Sequence, residues 1–237
     1  MRYELYYWSE IQGRGEYVRL ALEEAGADYD DVARQKGGEA KLMRMMEAPS
    51  IKTPPFAPPF LKAGKLVIGQ TANILLYLGG RHALAPKGEA GKLWVHQLQL
   101  TLADFVVEIH DTHHPIGTGL YYEDQKPEAQ RRAQDFRGER LPKFLGYFER
   151  VLKQSGGPYL TGRRVSYADL SLFQVVAGLR YAFPKAMAKV ETRHRRVCAL
   201  HDAVAARPRI KTYLASDRRI PFNEMGIFRH YPELDAT

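Results

Sequence analysis

One cysteine, Cys198, occurs in 237 residues, which excludes an internal disulfide and any Cys-x-x-Cys redox pair. No apolar run reaches membrane-spanning length, and the opening MRYELYYW lacks the hydrophobic stretch and small-residue cleavage site of a secretory signal. A cytoplasmic protein with no membrane partner is the expectation. Sequence repeats and low-complexity tracts are also missing, so nothing points to a repeat architecture. Basic residues outnumber acidic ones, 35 to 27, but they are scattered along the chain. The densest group, Arg193-His194-Arg195-Arg196, has no interleaved aromatics of the kind that stack single-stranded bases. It reads as a solvated helix face, and no nucleic-acid partner is expected.

The composition that is present, 45% hydrophobic and 26% charged, suffices to bury a core. Residues 2–8 read as a strand, 15–25 as a helix through Tyr17, Leu20, Ala21 and Glu24, and about 28–33 as a second strand. A variable helical or loop stretch covers 37–46, and a proline-rich segment follows. Short strands at 60–62 and 65–68 flank Ala63-Gly64, and helix resumes over 71–78. The order is βαβ then ββα. Small residues, Gly79-Gly80 and Pro86 mark a linker, placing one domain at 1–83 and a second at 88–220, with a tail at 221–237. The second domain reads as all helix: a stripe through Leu93, Leu98, Leu102, Phe105 and Ile109, then helices at 127–153, 167–182, 190–206 and 208–215. Within it, Ser166 and Asp169 form a capping box, with Val165 and Leu170 as its hydrophobic staple.

The chemistry concentrates at the first turn. A strand ending at Tyr7 runs through Gly13-Arg14-Gly15-Glu16 into a helix, so a phenol, an arginine and a helix N-terminus converge where a small anion can be held. Tyr6 alternates to the opposite side of the strand, and Ser9 is a further hydroxyl candidate.

These pieces, with Ala57-Pro58-Pro59-Phe60-Leu61, Gly69 to Leu78, the Ser166 to Asp169 cap and Ala206 to Leu214, resemble the cytosolic glutathione transferases of the tyrosine type, nearest the pi and sigma classes. The resemblance covers nearly the whole chain. It implies an α/β plus all-α fold: a thioredoxin-like N-terminal domain followed by an all-helical glutathione-transferase C-terminal domain, usually in a homodimer. It implies that Tyr7 stabilises the glutathione thiolate, that Pro58 follows a cis bond which turns the backbone of Ala57 towards the tripeptide, and that Gln70 and Thr71 hold the glutamyl carboxylate. Arg14 completes that set. Asp104 corresponds to the residue that reaches the glutamyl amine across a dimer interface, and Lys52, or Lys41 instead, meets the glycyl carboxylate.

An apolar electrophile is expected between the domains, against Trp8, Ile11, His110, His114, Tyr121 and Phe228, with Met225 nearby. His110, His113 and His114 share a helical face, but with Pro115 next and no second ligand cluster they read as part of an open-site helix rather than a metal centre. No metal and no tightly bound cofactor is expected; glutathione is a co-substrate. The implied activity, relevant to detoxification, is conjugation of glutathione to a hydrophobic electrophile. The alternatives are a glutathione-dependent isomerase, lyase or peroxidase, or a non-catalytic binding or assembly protein of the same fold.

Overall fold

A computed structural model describes residues 1–236 of the chain. The N-terminal part has the expected βαβ and ββα order. Strand β1 (Tyr3–Tyr6) leads to helix α1 (Gly15–Ala25), β2 (Tyr29–Asp31), α2 (Gly38–Glu47), β3 (Phe60–Ala63), β4 (Leu66–Gly69) and α3 (Thr71–Arg81). The sheet order is β2-β1-β3-β4, with β1 parallel to β2 and antiparallel to β3, and β3 antiparallel to β4. Side-chain alternation gives β1 two working faces. Tyr3 and Leu5 join α1 and α3 in the main core, whereas Tyr6 packs with Val32, Leu42 and Phe60 on the other side.

The remainder is helical: α4 (Glu89–Asp111), α5 (Lys126–Asp135), α6 (Leu141–Ser155), α7 (Tyr167–Ala182), α8 (Pro184–Glu191), α9 (Arg195–Ala205) and α10 (Pro208–Leu214). Two expected helices are divided. The 127–153 stretch passes through a π-turn at Phe136–Arg140, whose wider winding brings Phe136 into the core with Leu141, Phe144 and Phe148. The 190–206 stretch breaks at Thr192 to His194, and a separate helix begins earlier at Pro184, where proline fits the first turn. Helix α7 starts as expected. The Ser166 hydroxyl and the Asp169 carboxylate satisfy opposite ends of its first turn, and Asp169 also accepts the Leu160 N–H at 2.7 Å. Burial pushes the Asp169 carboxyl up to about 6 despite the hydrogen bonds it accepts.

What fixes the helical part against the sheet is a buried polar seam under α1. Arg19 is fully buried and bonds Asp31 at 2.7 Å, Glu16 at 3.3 Å and the carbonyl of Gln12 at 3.3 Å. Glu16 accepts the Tyr213 hydroxyl at 2.7 Å and pairs with Arg219, so α10 and the tail are tied to the first helix. Gln174 of α7 reaches Gln12 at 2.7 Å. Each buried charge has a partner, which burial requires.

Candidate functional site

Tyr7 lies just beyond β1, on the same side as Leu5, with 4% of its surface exposed. Its hydroxyl oxygen accepts the backbone N–H of Arg14 at 2.8 Å. The turn is built of glycine because the ring occupies its space: a Cβ on Gly13 would lie 2.0 Å from the hydroxyl, and one on Gly15 would lie 2.5 Å from the ring. Gly13 also has φ +43°, a conformation that favours glycine. Burial pushes the Tyr7 phenol up, opposed by the Arg14 N–H and by the charges of Arg14 and Arg19. The phenol therefore keeps its proton at neutral pH. With its oxygen accepting from Arg14, its O–H is left to donate.

The rival hydroxyls are engaged elsewhere. Tyr6 stacks on Phe60 and donates to Glu4 at 2.7 Å on the opposite face of the sheet. Ser9 donates to Glu39 at 2.6 Å.

Beside Arg14 opens a cavity of about 510 Å³, bounded by α1, the start of α3 and α4. Gln70 and Thr71 line it with Arg14. Gln70 has φ +67°, and no side chain caps α3, so the first amide groups of that helix present positive potential to the cavity. The Thr71 hydroxyl is buried with no hydrogen-bond partner among the described residues. Tyr17, His96 and Gln99 line the same cavity and carry atoms in the same condition: the Tyr17 hydroxyl, His96 Nδ1 and Gln99 Oε1. Sequence reading passed over these three. The available signal was a glutamine at a buried position of the α4 stripe, three residues after a histidine.

The cis bond falls between Pro58 and Pro59. The expectation that Pro58 follows it is corrected: the cis proline is Pro59, and the residue preceding it is Pro58, which offers a carbonyl but no N–H. Neither Ala57 nor Pro58 lines the cavity. The two adjacent X-Pro bonds were indistinguishable by composition.

Other expected residues are dispersed. Lys52 is exposed in the loop after α2 and does not line the cavity. Asp104 is exposed on α4, on a face different from its buried stripe. Trp8 is 38% exposed and Ile11 partly so. Tyr121 is 78% exposed at the start of a single turn, where its amide donates to Asp124. Phe228 is in the core, its ring filling the space over Gly178, where an added Cβ would lie 2.3 Å from it. His110 and His114 lie together at the end of α4 with ring centroids 5.0 Å apart, and His113 completes the cluster. Burial pulls all three imidazoles down, His110 to about 4 and His113 to about 2, so they are neutral at pH 7.

The chain thus folds as a thioredoxin-like four-stranded sheet unit followed by an all-helical unit, with a glycine turn between the first strand and helix. A profile described as the glutathione S-transferase C-terminal domain matches residues 110–217. Glutathione S-transferase 1 of Ascaris suum is 26% identical over 93% of this chain and 99% of its own length. The glutathione S-transferase of Plasmodium yoelii yoelii is 23% identical over 86% and 90%. Among solved structures, prostaglandin synthase D of Nilaparvata lugens superposes with a TM-score of 0.72 at 20% identity, covering 93% of this chain and all of that one. Residues 110–217 thus match the glutathione S-transferase C-terminal domain, and the chain as a whole is similar to glutathione S-transferases over nearly its full length. No helix among the described residues is long and apolar enough to cross a membrane.

Proposed function

We propose that the protein is a cytoplasmic enzyme that binds glutathione and adds its thiolate to a hydrophobic electrophile, with the Tyr7 hydroxyl donating to the sulfur. The observation that carries this reading is the Tyr7 hydroxyl itself, buried, protonated and already accepting from Arg14, so that its remaining hydrogen is preoriented. A thiol with an ordinary pKa of about 8.5 is only a few per cent ionised at neutral pH. Lowering it to about 6.5 corresponds to about 2.7 kcal/mol of differential stabilisation, within reach of a buried hydroxyl and nearby positive charge. No tightly held cofactor takes part, and proximity of the two reactants supplies the rest.

The uncapped start of α3, the Thr71 hydroxyl and Arg14 are complementary to the glutamyl carboxylate, with Gln70 beside them. The Pro58 carbonyl is the backbone acceptor offered to the middle of the tripeptide, next to Ala57, and Lys52 is the cation for its glycyl end. The electrophile then lies towards Trp8, Ile11, His110 and His114, with Tyr121 at the margin; Phe228, buried in the core over Gly178, is not part of that wall. Titration calorimetry with glutathione tests the anion grip. Thr71→Val should weaken glutathione binding about tenfold, the loss of one hydrogen bond to a charged group. Unchanged affinity in that variant would remove the α3 terminus from the binding site.

The homodimer belongs to the same proposal. Leu93, Leu100 and Val107 are 64%, 48% and 48% exposed and fall on one line of α4, at seven-residue spacing. Asp104 shares that face, in position to serve a neighbouring subunit's ligand. Leu100→Asp should convert the sedimenting species from dimer to monomer; a wild-type protein that sediments as a monomer would defeat the assignment.

A further inference from the structure

The three histidines at the end of α4 form a cluster that glutathione chemistry does not require. Helix α4 closes with the Thr112 amide and hydroxyl both on the Ile109 carbonyl, and the His113 and His114 amides both return to the His110 carbonyl. That tight turn, stopped by Pro115, folds His113 and His114 back over His110. One nitrogen from each ring lies within 4.8 Å of the other two.

The hydrogen bonds define which lone pairs face inward. His113 Nε2 donates to the Ile227 carbonyl at 2.8 Å, so its Nδ1 carries a lone pair, and that atom meets His114 Nδ1 at 2.5 Å. An imidazole whose far nitrogen is fixed by a backbone carbonyl is the usual arrangement of a metal-bound histidine. His113 is 1% exposed and His114 8%, while the His110 side chain is 20% exposed, so the cluster is walled on two sides and open on the third. The helix C-terminus adds negative potential, and Asp111 lies beside His110. Against these stand the charges of Arg14 and Arg229, both close enough to act on His110.

We propose that His110, His113 and His114 bind one divalent transition-metal ion of the zinc class, through three imidazole nitrogens with a fourth position open towards solvent. Tetrahedral zinc with Zn–N of about 2.0–2.1 Å sets its ligand nitrogens roughly 3.4 Å apart, so the His113 and His114 rings need to part by less than about 1 Å and the widest pair, within 4.8 Å, to close by up to about 1.4 Å. The His114 proton shifts away from Nδ1 as the metal enters. Because His113 holds Ile227, the ion also fastens the C-terminal tail to α4. The site shares His110 and His114 with the electrophile wall proposed above and is independent of how glutathione is held.

The test uses untagged, chelator-stripped full-length protein. Calorimetry with Zn²⁺ and visible absorption with Co²⁺ should each report one equivalent per chain, with the intense bands of tetrahedral cobalt. His110→Gln, His113→Gln and His114→Gln should each weaken binding at least about 100-fold, whereas His201→Gln, remote from the cluster, should leave it unchanged. Zn²⁺ should raise the thermal midpoint of wild type and not that of the three variants. Should His113→Gln fail to fold, the half-buried His110 carries the comparison. No saturable uptake by wild type, or uptake that survives all three substitutions, overturns the site.

Discussion

Tyr7→Phe should lower kcat/KM for conjugation of glutathione to a model aryl halide by about 10²- to 10³-fold at neutral pH, the range expected when one preorganised donor to a developing or stored anion is removed. The ring, its packing against Gly13 and Gly15 and its place at the end of β1 all survive the change, so the loss reports the hydroxyl alone. Glutathione affinity should move little, because the tripeptide's charges are held elsewhere. The pH profile separates this from a packing defect. In wild type the rate should reach its plateau below pH 7.5 or so, whereas the variant should rise towards the ordinary thiol value of about 8.5. A variant that keeps wild-type activity would exclude Tyr7 and redirect attention to Ser9, whose hydroxyl would first have to leave Glu39.

Arg19→Met should reduce unfolding free energy by about 3–5 kcal/mol, measured by urea denaturation, because it removes one member of a buried charge network and leaves the others in place. Asp31 loses its 2.7 Å partner, and the carbonyls of Ile11 and Gln12 lose a donor. Glu16 keeps Arg219 and Tyr213, which places the effect within that range rather than above it. Arg218→Ala is the comparison. Its side chain is 53% exposed and pairs with Glu23, which is largely buried but keeps the Tyr29 hydroxyl, so its loss should cost about 1 kcal/mol. Equal effects from the two substitutions would mean that the seam under α1 does not secure the helical part to the sheet. Since the Gly13-Arg14 turn lies directly above that seam, a less stable α1 should also loosen the donor to Tyr7.

The elements that were legible share one property: their signals are local. The strand to Tyr7, the glycine turn, the α3 start and the Ser166 to Asp169 cap are each written within a few residues. The helical breaks were less so, because the π-turn at Phe136–Arg140 and the early start at Pro184 depend on what the core will accept from each turn. The adjacent prolines illustrate the same limit: composition marked both X-Pro bonds as candidates, and the path of the chain into β3 selected Pro58-Pro59.

The amino-acid order alone determined the two-part architecture and put a phenol beside an arginine-bearing glycine turn, since periodicity, caps and turns are short-range steric facts. Tertiary structure alone decided that Tyr17, His96 and Gln99 face Thr71 across one cavity, that the Ile227 carbonyl aligns His113, and that Tyr213 and Arg219 close on Glu16. Those meetings join residues tens to hundreds of positions apart. Burial of a shared core brings them together, and no local pattern encodes it.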